Sequence, residues 1–251
     1  MAGRLYYFVS DVHLGLDYQN PEEREKKFAS FLAALPAETS DLYLLGDIFD
    51  FWYEYKNVIP RGFTRTLGAI AALVDRGVKV HFFNGNHDIW TYDYLQKELG
   101  VVVEKRLDIV EIEGKRFCLG HGDGIWDNSQ SYSLLQKIFK SKFLQILFSS
   151  LHPRWAFLFG HSWSKHNRLT RGVNANADVV KYVNEESVKW ANAYQKKQPE
   201  GGKIDYFIFG HHHVVVDAPV DGGRLFVLGD WINNPDCIIF DGHECKLMEI
   251  R

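Results

Sequence analysis

Five short segments of this chain carry the side chains that could do chemistry: Ser10-Asp11-Val12-His13, Gly46-Asp47, Gly85-Asn86-His87-Asp88, Gly120-His121-Gly122-Asp123 and Gly210-His211-His212-His213. They pool carboxylates, imidazoles and one amide. Two divalent cations held roughly 3.5 to 4 Å apart need such donors, one of them a shared anion. Asp47, closing the apolar run Leu42 to Leu45, is the natural bridge. Asp11 and His13 lie two residues apart on an extended strand end and so share a face. His211 and His213 repeat that spacing, Asn86 offers a hard amide oxygen, and His121 adds an imidazole. Nitrogen and oxygen donors without thiolate suit Mn2+, Fe2+ or Zn2+. Such ions lower the pKa of a bound water, to about 7 in the zinc case, and so supply hydroxide at neutral pH.

Each piece has a plainer reading when taken alone. A lone Asp47 is more often a helix cap or turn former, and a lone His121 a satisfied core residue. His211 to His213 could be a surface metal-binding tract. Five such segments, each at a strand end, outweigh those separate readings. His81, His152, His161, His166 and His243 lack a comparable setting, and His212 is expected to point away from its neighbours.

Holding these residues together requires strands that end together. Leu5 to Val9, Leu42 to Leu45 and Val78 to Phe83 read as buried strands, with helical spacing over Pro21 to Leu35 and Phe63 to Arg76 between them. Pro21 followed by two acids is a favourable helix start. This alternation predicts a layered α/β fold with parallel strands. Leu107 to Ile112 and Lys115 to Leu119 read as a hairpin. Five more strands are expected at Tyr206 to Phe209, Val214 to Pro219, Arg224 to Leu228, Cys237 to Phe240 and Glu244 to Ile250, giving two mixed sheets face to face. The 251 residues, 46% hydrophobic, suffice for a single domain over 1–251. A net charge of −3 argues against wholesale nucleic-acid binding. Three scattered cysteines make neither a disulfide framework nor a cysteine zinc site. The N-terminus has no apolar signal core, and no apolar run reaches the roughly 18 to 20 residues of a membrane span, so a cytoplasmic protein is expected. None of these features speaks to oligomeric state.

A helical, basic and aromatic insertion is expected at about 128–200. From Asn128 to Ala177 there is no acid, but Lys137, Lys140, Lys142, Arg154, Lys165, Arg168 and Arg171 are present. Leu135, Ile138, Phe139, Phe143, Ile146, Leu147 and Leu151 follow helical spacing. The segment reads as a substrate-recognition element, with peripheral contact to an anionic inner membrane through 128–177, or else as a core helix with a solvated basic face.

As a set, the five motifs resemble the calcineurin-like metallophosphoesterase superfamily over essentially the whole chain. That resemblance implies a four-layer αββα sandwich of two mixed sheets with a helical lid, and a dinuclear centre at the strand ends. It implies that Asp11, His13, Asp47 and His213 hold one ion, and that Asp47, Asn86, His121 and His211 hold the other. It also implies a catalytic pair: His87 steadies the phosphoryl transition state or protonates the leaving oxygen, and Asp88 orients His87 through a hydrogen bond. Within the superfamily, Phe8 to Leu14, Gly46 to Trp52 and Gly120 to Asp123 are similar to the UDP-2,3-diacylglucosamine pyrophosphohydrolases of lipid A synthesis. This implies a lipid-linked sugar nucleotide substrate, cut to UMP and a diacylated glucosamine 1-phosphate by a metal-bridging hydroxide, with Mn2+ as the expected metal. The third motif departs from that group: its best-known members carry G-N-R-D, and here it is Gly85-Asn86-His87-Asp88. Arginine offers a fixed fork to phosphate, whereas histidine titrates. A phosphodiesterase or phosphatase for a soluble nucleotide or phosphosugar is the second enzymatic reading. A non-catalytic scaffold of this fold would be expected to lack a ligand or the motif histidine, and every motif position is filled.

Overall fold

The computed structural model describes residues 3–104, 107–125, 138–139, 141–160, 162 and 177–250. Its strands are β1 (Leu5–Val9), β2 (Thr39–Leu44), β3 (Lys79–Phe83), β4 (Val102–Glu104), β5 (Leu107–Ile112) and β6 (Lys115–Gly120). Beyond the insertion come β7 (Tyr206–Phe209), β8 (Val216–Val220), β9 (Gly223–Val227), β10 (Asp236–Phe240) and β11 (Cys245–Glu249). Helices are α1 (Pro21–Ala33), α2 (Thr64–Asp75), α3 (Tyr94–Leu99), α4 (Lys142–Ser149) and α5 (Ala177–Gln195), with a further helical stretch over 153–160.

Two mixed sheets result. One runs β11-β10-β1-β2-β3-β4 and the other β5-β6-β7-β9-β8. In the first sheet β1 to β4 are parallel out to the β4 edge, and β10 and β11 add antiparallel at the other edge; in the second β6, β7 and β9 are parallel, and antiparallel β5 and β8 finish both edges. Strand alternation sorts the cores. Tyr7 and Val9 of β1 face Phe28 and Leu32 of α1, while Tyr6 and Phe8 enter the inter-sheet core with Phe117, Ile208 and Phe226. On the outer face of the second sheet, Val183 and Ala191 of α5 pack with Phe207, Phe209 and Leu225. The layers are therefore helix, sheet, sheet, helix, and the 177–195 part of the insertion is the fourth layer.

Expected strands and helices are present with ends shifted by up to three residues. The short α3 and three-residue β4 were not expected, because neither is long enough to show a period. Within the described residues the helix read across Leu135 to Leu151 is interrupted: residues 138–139 are helical, Ser141 is extended, and a new helix, Lys142–Ser149, starts there with the Ser141 hydroxyl accepting from Leu144 N at 3.5 Å. Leu135, Lys137, Lys140, His161, Lys165, His166, Arg168 and Arg171 lie outside the described residues. α4 buries none of its residues, and Phe143 and Ile146 are 68% and 64% exposed, so the core-helix reading is overturned.

Candidate metal centre

The motifs meet because parallel strands end side by side. Asp11 N donates to the Gly46 carbonyl at 3.1 Å and His13 N to that of Asp47 at 3.0 Å, joining the ends of β1 and β2. Gly210 N donates to the His121 carbonyl at 2.8 Å, joining β6 and β7. Asp11 Oδ2 accepts from His211 N at 2.8 Å, and Asp47 Oδ1 from His87 N at 2.9 Å, so the pairs are cross-linked.

Asp11 and His13 converge, but not through strand alternation as expected, since β1 ends at Val9. Both are left-handed (φ 54° and 49°), as are Asp47 (52°), His211 (75°) and His213 (55°). Each such residue costs of order 1 kcal/mol or more, a strain concentrated at functional sites. The same turns bring the His212 ring to 4.9 Å from that of His211 instead of pointing it away. Glycine is required at two neighbouring positions. A Cβ on Gly85 would run into the Asp47 carboxylate, and one on Gly210 into Ser10 Oγ and the Asp11 carboxylate.

Seven expected donors come together in two groups. In one, His213 Nε2 is 3.2 Å from His13 Nε2 and 3.3 Å from Asp11 Oδ1, which lies 3.6 Å from His13 Nε2. In the other, His121 Nε2 is 3.3 Å from each of Asp47 Oδ2, Asn86 Oδ1 and His211 Nδ1. Asp47 Oδ2 is also 3.8 Å from His13 Nε2, so one oxygen stands between the groups.

This arrangement fits divalent metal. Donors on a common ion at about 2.1 Å are separated by roughly 3.0 to 3.4 Å in octahedral or tetrahedral geometry, close to the spacings seen. Asp11 and Asp47 are 0% and 1% exposed, and their ion pairs among the described residues are with imidazoles. Asp11 Oδ1 is buried without a hydrogen bond. Buried carboxylates of this kind call for compensating positive charge.

The electrostatics are consistent with that demand. Burial disfavours the Asp47 charge, but the His121 and His87 imidazoles outweigh it and hold its carboxyl well below the usual range. Burial likewise opposes charge on His121, yet Asp47 brings it up to about 9. Burial raises Asp11. Burial, then the His121 charge, keeps His211 neutral, the form that ligates.

Asp88 does not have the expected role. Its carboxylate accepts backbone N–H groups of Gly85, Asp47, Ile48 and Phe49 at 2.8 to 3.2 Å, bracing the Asp47 turn. Burial and the Asp47 charge push it up to about 7. His87 is held instead by the Asp50 carbonyl, 2.8 Å from Nδ1, and a ring nitrogen of His87 lies within 4.8 Å of donors on His13 and Asp47. Two contributors went unassigned in the sequence. Asp50 Oδ1 is 3.3 Å from His13 Nδ1, and Asp230 Oδ2 is 3.2 Å from His213 Nδ1. The available signal for Asp230 was Gly229-Asp230 after β9, an echo of Gly46-Asp47 after β2.

An aromatic platform adjoins the donors. Phe51, Tyr53 and Trp90, a few residues past Asp47 and Asn86, pack with Phe139, Phe148 and Phe157 of the insertion. Trp90 stacks on Phe148 at 5.7 Å, its Nε1 donates to the Phe139 carbonyl at 3.3 Å, and the Tyr53 hydroxyl donates to that of Gln145 at 3.0 Å. Phe143, Ile146, Leu147, Trp155 and Leu158 remain exposed.

A model of the calcineurin-like phosphoesterase family matches residues 5–215. UDP-2,3-diacylglucosamine hydrolase of Porphyromonas gingivalis is 39% identical over 248 residues, 94% of either chain. The enzyme of that name from Neisseria meningitidis is 27% identical over 229 residues, 91% of this chain and 90% of its own. The Haemophilus influenzae enzyme is 25% identical over 232 residues, 91% of both chains.

Proposed function

We propose, from the premise that this chain belongs to the calcineurin-like phosphoesterase family, that it hydrolyses the pyrophosphate of UDP-2,3-diacylglucosamine, giving UMP and 2,3-diacylglucosamine 1-phosphate. One observation carries the reading. The two loops that supply Asp47 and Asn86 continue directly into the platform of Phe51, Tyr53 and Trp90, so an anion-handling centre and an apolar surface share a support. A substrate with a diphosphate at one end and acyl chains at the other matches that pairing, each buried methylene contributing roughly 0.8 kcal/mol.

Asp11, His13, Asp47 and His213 would hold one divalent ion, and Asp47, Asn86, His121 and His211 the other. We favour Mn2+, with Fe2+ and Zn2+ compatible with the same donors. Two such ions would lower the pKa of a bound water and offset phosphoryl charge. His87, with one proton held on Nδ1 by the Asp50 carbonyl, is directed so that its imidazolium form would present Nε2–H to the leaving oxygen and give it that proton, Nε2 being left as the neutral base. Asp88 keeps the Asp47 turn in shape.

The described residues contain no helix long and apolar enough to cross a membrane. The outward face of the insertion supplies contact with the anionic cytoplasmic face of the inner membrane instead. Phe143, Ile146, Leu147 and Trp155 meet the acyl boundary. Lys142 and Arg154 meet lipid phosphates, each adding about 1 kcal/mol near a charged leaflet.

The test is turnover by Mn2+-loaded protein in mild detergent, followed by 31P NMR, on UDP-2,3-diacylglucosamine, UDP-N-acetylglucosamine and bis-p-nitrophenyl phosphate. Fast UMP release from the diacylated substrate alone supports the proposal. Efficient cleavage of the small diester with the lipid untouched would replace it with a soluble-substrate phosphodiesterase.

A further inference from the structure

We propose that Asp230 is a positioning residue that fixes the tautomer and orientation of His213, and that the loop Gly229-Asp230-Trp231-Ile232-Asn233 governs metal occupancy at the Asp11–His13–His213 group. The inference rests on the two-metal reading above. It starts from how the Asp230 carboxylate is held. It is 6% exposed, and its Oδ1 accepts from Ile232 N and Asn233 N at 2.8 Å each, with Asn233 Nδ2 3.3 Å from both oxygens. So restrained, the carboxylate cannot swing, and Oδ2 is presented to His213 Nδ1 at 3.2 Å. An ionised carboxylate only accepts, so Nδ1 carries the proton. His213 Nε2 is then an unprotonated donor, and it is the nitrogen that lies 3.3 Å from Asp11 Oδ1 and 3.2 Å from His13 Nε2.

The loop grips a second member of the same group. Trp231 N donates to the Asp11 carbonyl at 3.1 Å, bracing a residue whose φ is 54°. Trp231 is itself fixed by the rings of Phe28 and Phe31 of α1, at 4.9 and 5.3 Å. One five-residue loop thus anchors two donors of one group to the core. In the other group, His121 is oriented by a backbone carbonyl, that of Leu45, 2.9 Å from Nδ1. Loss of Asp230 is therefore selective between the two sites.

Mn2+ titration of metal-free full-length protein, by calorimetry and by the EPR signal of free Mn2+, tests this. Asp230→Ala is expected to weaken one of two sites about 10 to 100-fold, the usual cost of losing a carboxylate behind a ligating histidine, and to spare the other. Asp230→Asn retains an oxygen for the Ile232 and Asn233 amides, so it keeps the loop folded where alanine does not. Its amide N–H group facing Nδ1 moves the His213 proton to Nε2 and weakens the same site. Nitrogen-15 NMR of the metal-free ring reads that tautomer directly, which a merely structural role would leave at Nδ1–H. Parental binding at both sites in Asp230→Asn, or an unchanged tautomer, would overturn the inference. His213→Ala separates the layers: loss of one site there, with Asp230 variants unaffected, rejects only the role of Asp230. Two intact sites in His213→Ala would reject the two-metal reading beneath it.

Discussion

The Asp50 carbonyl lies 2.8 Å from Nδ1 of His87, and the carboxylate of the same Asp50 lies 3.3 Å from Nδ1 of His13. A carbonyl only accepts, so the His87 proton sits on Nδ1 and Nε2 is its basic nitrogen. One aspartate thereby holds the proposed acid–base group through its carbonyl and sets its carboxylate beside a proposed ligand. His87→Ala is expected to leave two Mn2+ per chain and to lower kcat about 10² to 10⁴-fold. Elemental analysis is the check, and a lost ion would move His87 into the ligand set.

Asp47 Oδ2 lies 3.3 Å from His121 Nε2 and 3.8 Å from His13 Nε2. If it is the shared donor, Asp47→Ala weakens both ions at once and abolishes turnover. Gly85→Ala should approach the same result without touching a donor, because the new methyl collides with the Asp47 carboxylate. Overpacking of this kind costs about 1 to 3 kcal/mol, readable in a urea midpoint alongside Mn2+ affinity. Unchanged affinity in Gly85→Ala would mean that the turn yields more easily than the structure implies.

Away from the centre, His81 donates toward Asp41 Oδ1 at 3.0 Å and Glu104 Oε1 at 2.7 Å and stacks on Tyr43. Burial opposes its charge, but the two carboxylates outweigh burial and raise its pKa above 6.5. Burial also opposes the charge of Asp41, and the His81 hydrogen bond lowers it on balance. A raised histidine contributes its stability fully below the unfolded value and loses it as pH rises through the folded value; the lowered Asp41 loses its share as pH falls. His81→Gln should therefore cost about 1 to 3 kcal/mol near pH 5.5 and less at pH 9. Urea unfolding of both proteins at the two pH values decides it, and a gap that grows with pH would contradict the assignment.

The outer face of the insertion makes a separate prediction. Replacing Ile146 and Trp155, each 64% exposed, by glutamate should raise KM for UDP-2,3-diacylglucosamine in anionic vesicles about tenfold or more. Roughly 1.5 kcal/mol from one buried apolar side chain already amounts to tenfold. Hydrolysis of bis-p-nitrophenyl phosphate should not change. Equal KM values would remove the membrane from the account.

Much of this site was legible because each donor segment opens on a glycine or serine after a short apolar strand, a local pattern. The αββα layering was equally legible, since alternation in Tyr6 to Val9 and helical spacing in α1 and α2 are local too. What escaped depended on partners distant in sequence. Asp88, adjacent to His87, invited a side-chain pairing, yet the turn aims it at four backbone amides. Asp230 is 17 residues from His213 and meets it only after β8 and β9 have formed. The apolar spacing of α4 marked a face without revealing what covers it. Left-handed backbone at Asp11, His13, Asp47, His211 and His213 was not legible, because aspartate and histidine are enriched there relative to other side chains yet still adopt it in only a small minority of positions.

The most direct test is a titration of chelator-stripped protein with Mn2+, scoring UMP release from UDP-2,3-diacylglucosamine at each step. The account predicts no release without metal and full activity only as the second equivalent binds. Release by the stripped protein, or a fully loaded protein that leaves this substrate intact, would contradict it.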